Sequence, residues 1–358
     1  MESAMLSRRN FMILTGALTA GARVPRAAAA LAAKESVHVV NPMAFVNPEF
    51  RDALEKLPQQ GRFGPITRAT LPKLRAMMNN LPPPVRRTPQ VTTRLIPGFD
   101  GDPNVPIYVI GAESGVVKPA VLHIHGGGFI AGSARGSIGL TQAIAAACDC
   151  VVVAPEYRLA PETRFPGPLN DNYAALLWMR THARELGVDP DRIAVMGESA
   201  GGGLAAMLAI AARNRGEVPI VYQVLIYPML DDRTGSTRSV PPFMGQFIWS
   251  RQNNRFGWSA LLGEPAGSVS VPRGSVPARV RNLAGLPPAF IGVGSIDLFA
   301  NEDIEYAMRL VDSAVPTELL VIPGAFHGFD GIAPHALLSQ EFTRAWQNAL
   351  RRAFAKQT

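Results

Sequence analysis

Apolar residues along this chain of 358 residues gather in short continuous blocks rather than long alternating runs. Six blocks stand out from residue 120 onward: AVLHIH (120–125), CVVVAPEY (150–157), RIAVMGES (192–199), YQVLIYP (222–228), AFIGVGSID (289–297) and TELLVIPG (317–324). All are rich in Val or Ile and end in Gly, Pro or polar residues, which predicts parallel strands covered on both faces. Between most of them lie stretches at helical spacing, such as DNYAALLWMRTHARE and AGGGLAAMLAIAARN. Parallel strands need crossovers of about a dozen residues or more, and these stretches supply them. The C-terminal stretch SQEFTRAWQNALRRAFAKQ repeats Phe342, Trp346, Leu350 and Phe354 along one face, so it should lie against the sheet.

Two parts of the pattern differ. Residues 47 to about 84 predict helices, EFRDALEKL and TLPKLRAMMNN, cut off by Pro and Gly, and a hairpin follows from VTTRLIPGF and VPIYVIGAE across DGDPN. Between YQVLIYP and AFIGVGSID about sixty residues intervene, too many for a plain crossover. The expected architecture is α/β: a mostly parallel central sheet flanked by helices over 34–358. A helical cap is expected from about 34–88 together with an insertion at about 232–282.

The first 33 residues form a separate unit. Arg8 and Arg9 precede the apolar stretch Ile13 to Ala22, and small residues run to Ala33. That order is the order of an export signal, and the paired arginines with Phe11 resemble the twin-arginine type. The apolar run is about half the ~20 residues of a membrane span. The mature product is therefore expected in the periplasm or outside the cell, without stable membrane insertion.

Removing this leader takes away Arg8, Arg9, Arg23, Arg26 and Glu2, so the net charge of +7 becomes +4. The remaining excess is dispersed, and nucleic acid is not an expected partner. Cys148 and Cys150 are the only cysteines and sit too close in a strand-like run to bridge each other without strain, so they are expected as buried free thiols.

The strongest chemical signal is GESAG, Gly197 to Gly201, placed after a strand and before a helix. This is G-x-S-x-G in the context that lifts a serine hydroxyl above a sheet edge, and the following helix N-terminus offers free N–H groups to developing negative charge. Serine is a weak nucleophile without an adjacent base. In this arrangement the acid and then the histidine follow the serine in the chain, and only His327 and His335 do so. His327, in the glycine-flanked loop PGAFHGFDG after a strand, is the expected base, whereas His335 is expected as a solvated residue opening the last helix. Asp297, ending AFIGVGSID, is the favoured acid. Asp231 and Asp232 are rivals, and Asp303 is expected to face solvent on the next helix.

Taken together, HGGGF, YRLAPE (157–162), GESAGG (197–202), the Asp297 loop and the His327 loop resemble, in that order, the bacterial hormone-sensitive-lipase-like carboxylesterases, the family IV α/β-hydrolases. The resemblance runs from about residue 42 to the C-terminus. It implies a triad of Ser199, Asp297 and His327, an oxyanion hole from the N–H groups of Gly127, Gly128 and Ala200, and hydrolysis of short- to medium-chain carboxylic esters with neither cofactor nor metal. Two positions depart from the family pattern: Glu198 stands where larger branches have Asp or Thr, and DLFANED carries Asn301 in place of a second acid. A lactonase, an amidase, a lipase or a non-catalytic ligand-binding member would share much of this pattern. The expected partner is a small-molecule ester, with a homodimer as the possible assembly. YRLAPE has no assignable chemical role, and Arg158 and Glu162 are expected to brace its loop.

The stretch VLHIHGGGFI (121–130) then takes on a meaning. Its glycines let backbone N–H groups approach a substrate oxygen, His123 is expected within the sheet region, and His125 should hold the glycine loop.

Overall fold

The computed structural model describes residues 41–57, 64–79 and 86–355. The leader expected over 1–33 lies outside the described residues, as do parts of the expected N-terminal cap.

Among the described residues, eight strands form one sheet in the order β1-β2-β4-β3-β5-β6-β7-β8. The hairpin β1 (Val91–Ile96) and β2 (Val105–Ile110) is antiparallel, and β2 runs antiparallel to β4 (Val151–Pro155). From there the sheet is parallel through β3 (Lys118–Ile124), β5 (Val188–Glu198), β6 (Tyr222–Ile226), β7 (Ala289–Gly294) and β8 (Thr317–Ile322). Each apolar block became a strand, but most strands stop before the block does. The last residues of each block turn out of the sheet and make the loops at its carboxyl edge.

Pleating splits each central strand between two cores. Leu122, Val153, Val195, Leu225 and Ile291 pack on one face with α4 (Gly167–Thr181) and α6 (Ala200–Arg215). Val121, Val152, Met196, Val224 and Phe290 pack on the other with α3 (Ile138–Cys148) and α10 (Leu337–Phe354). The predicted face of α10 is buried, Phe342, Trp346, Leu350 and Phe354 all included. The helix predicted over DNYAALLWMRTHARE is broken at His182 into α4 and the short α5 (Ala183–Leu186). Helix α8 (Ala300–Asp312) covers the β7–β8 end.

The two N-terminal helices go to different places. In α1 (Pro48–Glu55), Phe50 packs on Phe326 and Phe329, on either side of His327. Phe329 opens the one-turn α9 (Phe329–Ile332). In α2 (Leu71–Asn79), Arg75 donates to the carbonyls of Ile130 and Ala160 and to both carboxylate oxygens of Glu162. The long stretch between β6 and β7 holds α7 (Arg251–Leu262), and Ile66 N–H donates to Asn253 Oδ1 at 2.9 Å. Cys148 and Cys150 are buried and unbridged, and burial pushes the Cys148 thiol up to about 11. Among the described residues no helix is long and apolar enough to cross a membrane.

Candidate active site

The strand order reverses around β3, with β4 on one side and β5 on the other. A crevice opens at such a reversal, outside the carboxyl ends of the two strands. The glycine loop follows β3 there, and the GESAG turn follows β5.

The turn is tight enough to exclude side chains at its flanks. A Cβ on Gly201 would stand 2.0 Å from the carbonyl oxygen of Ile124, and one on Gly197 2.4 Å from Gly201. Ser199 takes φ 57° and ψ −121°, a conformation that L-residues hold only when their surroundings impose it. The imposing contacts are backbone hydrogen bonds: Ser199 N–H donates to Ile226 O at 2.9 Å, and Ser199 O accepts from Met229 N–H at 2.9 Å.

The structure brings together three of the side chains singled out in the sequence. His327 Nε2 lies 2.9 Å from Ser199 Oγ, and His327 Nδ1 lies 2.8 Å from Asp297 Oδ2. Asp297 is fully buried, and its other oxygen accepts the Phe299 N–H at 3.0 Å. Phe299 meets the imidazole edge-to-face at 5.2 Å, and Tyr227 meets it at 4.9 Å. Since an Asp297 carboxylate oxygen can only accept, Nδ1 carries the proton and Nε2 faces the serine.

Above the serine, Gly127 and Gly128 have φ of 125° and 62°. A Cβ at Gly128 would come within 2.2 Å of the Trp249 indole, so a side chain from the long insertion packs directly on the glycine loop. Ala200 opens α6, where the first N–H groups have no intrahelical acceptor. Among the described residues none of the N–H groups of Gly127, Gly128 and Ala200 has a backbone acceptor.

The loop histidines are structural. His125 Nδ1–H donates to Gly126 O at 2.8 Å, its ring stacks on Tyr157 at 4.2 Å, and the Tyr157 hydroxyl donates to His125 O at 2.9 Å. Burial holds His125 down to about 4, so it stays neutral. The YRLAPE segment is bracing, as expected: Arg158 forks onto Asp171 at 2.9 and 2.7 Å, and Glu162 receives Arg75.

The rival acids are occupied elsewhere. Asp231 pairs with Arg233 and Arg238, and Asp232 pairs with Arg279. His335 is exposed and lies two residues before α10 rather than opening it. The expectation for Asp303 fails: it is fully buried in the first turn of α8, and among the described residues neither carboxylate oxygen has a hydrogen-bond partner. Burial, with Glu302 and Asp297 nearby, drives its pKa well above the usual carboxylate range. A charged position at a helix start reads as solvated in the sequence, but α8 buries the face that carries Glu302 and Asp303.

Trp249, Tyr227 and Arg75 were not singled out in the sequence. Each reaches the site from a distant segment, and Arg75 bonds across 55 residues to Ile130. Among the described residues no group of three or more His, Cys, Asp or Glu is placed to hold a metal ion.

Comparison with known proteins gives a consistent picture. A family model described as alpha/beta hydrolase fold matches residues 121–331. The carboxylesterase NlhH of Mycobacterium tuberculosis is 34% identical over 289 residues, 78% of this chain and 88% of that protein. The esterase LipI of the same organism is 35% identical over 237 residues, 65% of this chain and 72% of that protein. The solved structure titled bacterial heroin esterase superposes with a TM-score of 0.79 at 38% identity, covering 87% of this chain and 99% of that one.

Proposed function

The chain belongs to the alpha/beta-hydrolase fold family, in its hormone-sensitive-lipase-like branch, and on that premise we propose that it is a serine carboxylesterase acting on short- to medium-chain esters through an acyl-enzyme. The observation that carries the proposal is the unbroken line from Ser199 Oγ through His327 to Asp297, at 2.9 and 2.8 Å.

In this reading Ser199 Oγ attacks the ester carbonyl carbon while His327 Nε2 takes its proton. The carbonyl oxygen becomes an oxyanion held by the N–H groups of Gly127, Gly128 and Ala200, which gain strength as charge develops. Collapse breaks the ester C–O bond, and His327 gives the proton to the departing alkoxide, which leaves as the alcohol. Water then attacks the acyl-enzyme with His327 again as base, and a carboxylic acid leaves as the proton returns to Ser199. Asp297 fixes the imidazole tautomer and stabilises the imidazolium without taking its proton. Trp249, buried against Gly128, adds bulk beside the carbonyl site and favours short to medium acyl chains over long ones. We read α2 and the insertion carrying α7 as the cap over this site, and the first 33 residues as a twin-arginine export signal.

A panel of p-nitrophenyl esters from acetate to palmitate, run on the protein and on Ser199→Ala, tests the reading. Hydrolysis is expected to peak at short or medium chains and vanish in the variant. Equal rates in the two proteins would remove Ser199 from the mechanism, and no hydrolysis by the intact protein would leave a ligand-binding role. Export is tested by cell fractionation, where replacing Arg8 and Arg9 by Lys should strand the protein in the cytoplasm.

A further inference from the structure

A groove of about 1220 Å³ lies against the C-terminal half of α6, between Met207 and Arg215. At 1.5 Å of rise per residue these positions are roughly 12 to 24 Å along the helix from Ser199, so the groove is separate from the triad. Its volume suits a ligand of drug size or larger.

The lining has two chemistries. Arg213, Arg215, Arg273, Arg279 and Arg281 face the groove, against one lining carboxylate, Asp100. Arg279 is neutralised from behind by buried Asp232. The other four are not paired this way. Arg213 donates to the carbonyls of Asn282 and Ala284, which fix its direction and leave its charge intact. Arg215 lies 4.2 Å over the ring of Phe99 and 4.0 Å over that of Tyr173, whose hydroxyl is bound to Glu217. Arg273 and Arg281 are exposed, and no carboxylate pairs with either among the described residues. The remaining wall is apolar, with Phe165, Leu169, Met207, Ile210 and Val271.

We propose that this groove is a second ligand site that binds an anionic amphiphile, a medium- or long-chain carboxylate. The guanidinium forks match a carboxylate's two oxygens, and a hydrocarbon chain covers the apolar wall that a small inorganic anion would leave wet. The inference does not depend on the chemistry at Ser199.

Calorimetric titration of Ser199→Ala protein with decanoate, decanol, acetate and inorganic phosphate tests it. Decanoate should saturate a single site, with the other three weaker by roughly tenfold or more: decanol lacks the charge that the guanidinium forks take, and acetate and phosphate lack the chain that covers the apolar wall. Arg273→Glu combined with Arg281→Glu should weaken decanoate by a similar factor while the melting temperature stays unchanged. Wild-type protein with Ser199 blocked by a phosphonate should still bind decanoate. Equal binding of decanol or phosphate, indifference to the arginine changes, or loss of binding on blocking Ser199 would each overturn the proposal.

Discussion

His123 Nε2 stands 3.0 Å from both carboxylate oxygens of Glu198, the residue directly before Ser199. The pair ties β3, which carries the glycine loop, to β5, which carries the serine, at the point where both strands end.

Removing the tie should loosen the serine turn against the glycine loop. Glu198→Ala leaves the fully buried His123 ring without an acceptor, a loss on the order of 1–3 kcal/mol. Glu198→Gln keeps an acceptor oxygen and should lose less. Thermal melting of the two variants is expected to rank them wild type, Gln, Ala, with kcat falling in the same order more than KM changes. Melting and turnover of the Ala variant equal to wild type would show that the contact holds nothing.

The relay predicts how the acids differ. Asp297→Asn keeps the shape but donates toward His327 Nδ1, forcing the wrong tautomer, and a loss in kcat of roughly ten-thousand-fold is expected. Asp231→Asn and Asp232→Asn disturb ion pairs with Arg233, Arg238 and Arg279 and should lower the melting temperature instead. Steady-state kinetics beside melting curves separates the two outcomes. A large kcat loss in Asp231→Asn with an unchanged fold would move the acid to β6.

Gly128 tests the oxyanion hole through space and backbone together. At φ 62° an alanine is strained, and its Cβ would displace the Trp249 indole. Gly128→Ala is therefore expected to lower kcat by about 100- to 1000-fold, the usual effect of losing one donor. Adding Trp249→Ala restores room but not the backbone preference, so only part of the activity should return. Complete recovery in the double variant would assign the whole effect to the indole and none to the loop conformation.

The legible parts of the sequence were those set by local chemistry. Strand cores are continuous Val and Ile blocks, and the serine turn carries glycines because neighbouring backbone leaves no room for a Cβ at Gly197 or Gly201. Chain order then left few choices for the partners of Ser199. Long-range contacts left no local signal. The indole of Trp249 meets Gly128 from the insertion, and Arg75 reaches Ile130, Ala160 and Glu162 from α2. Charge was the least reliable guide. Glu302 and Asp303 look like the solvated start of an amphipathic helix, yet both are buried and both are raised well above the usual carboxylate range by that burial.

Asp303 therefore makes a prediction about stability rather than catalysis. Among the described residues its oxygens have no hydrogen-bond partners, whereas those of Glu302 include one that accepts the N–H groups of Leu230 and Asp231. With the folded-state pKa raised, the native protein holds a proton that the unfolded chain releases once pH exceeds about 3.8. The native state then binds more protons than the unfolded state, so stability falls as pH rises, by at most about 1.4 kcal/mol per unit for this one group. Below that pH both states are protonated and no penalty exists. Asp303→Asn removes the titration while keeping a neutral polar side chain of the same size. Its melting temperature relative to wild type should be lowest near pH 4 and climb toward pH 8. Thermal melts across that range read the difference directly, and a variant-minus-wild-type difference that stays constant or falls with rising pH would mean that Asp303 is ionised in the folded protein.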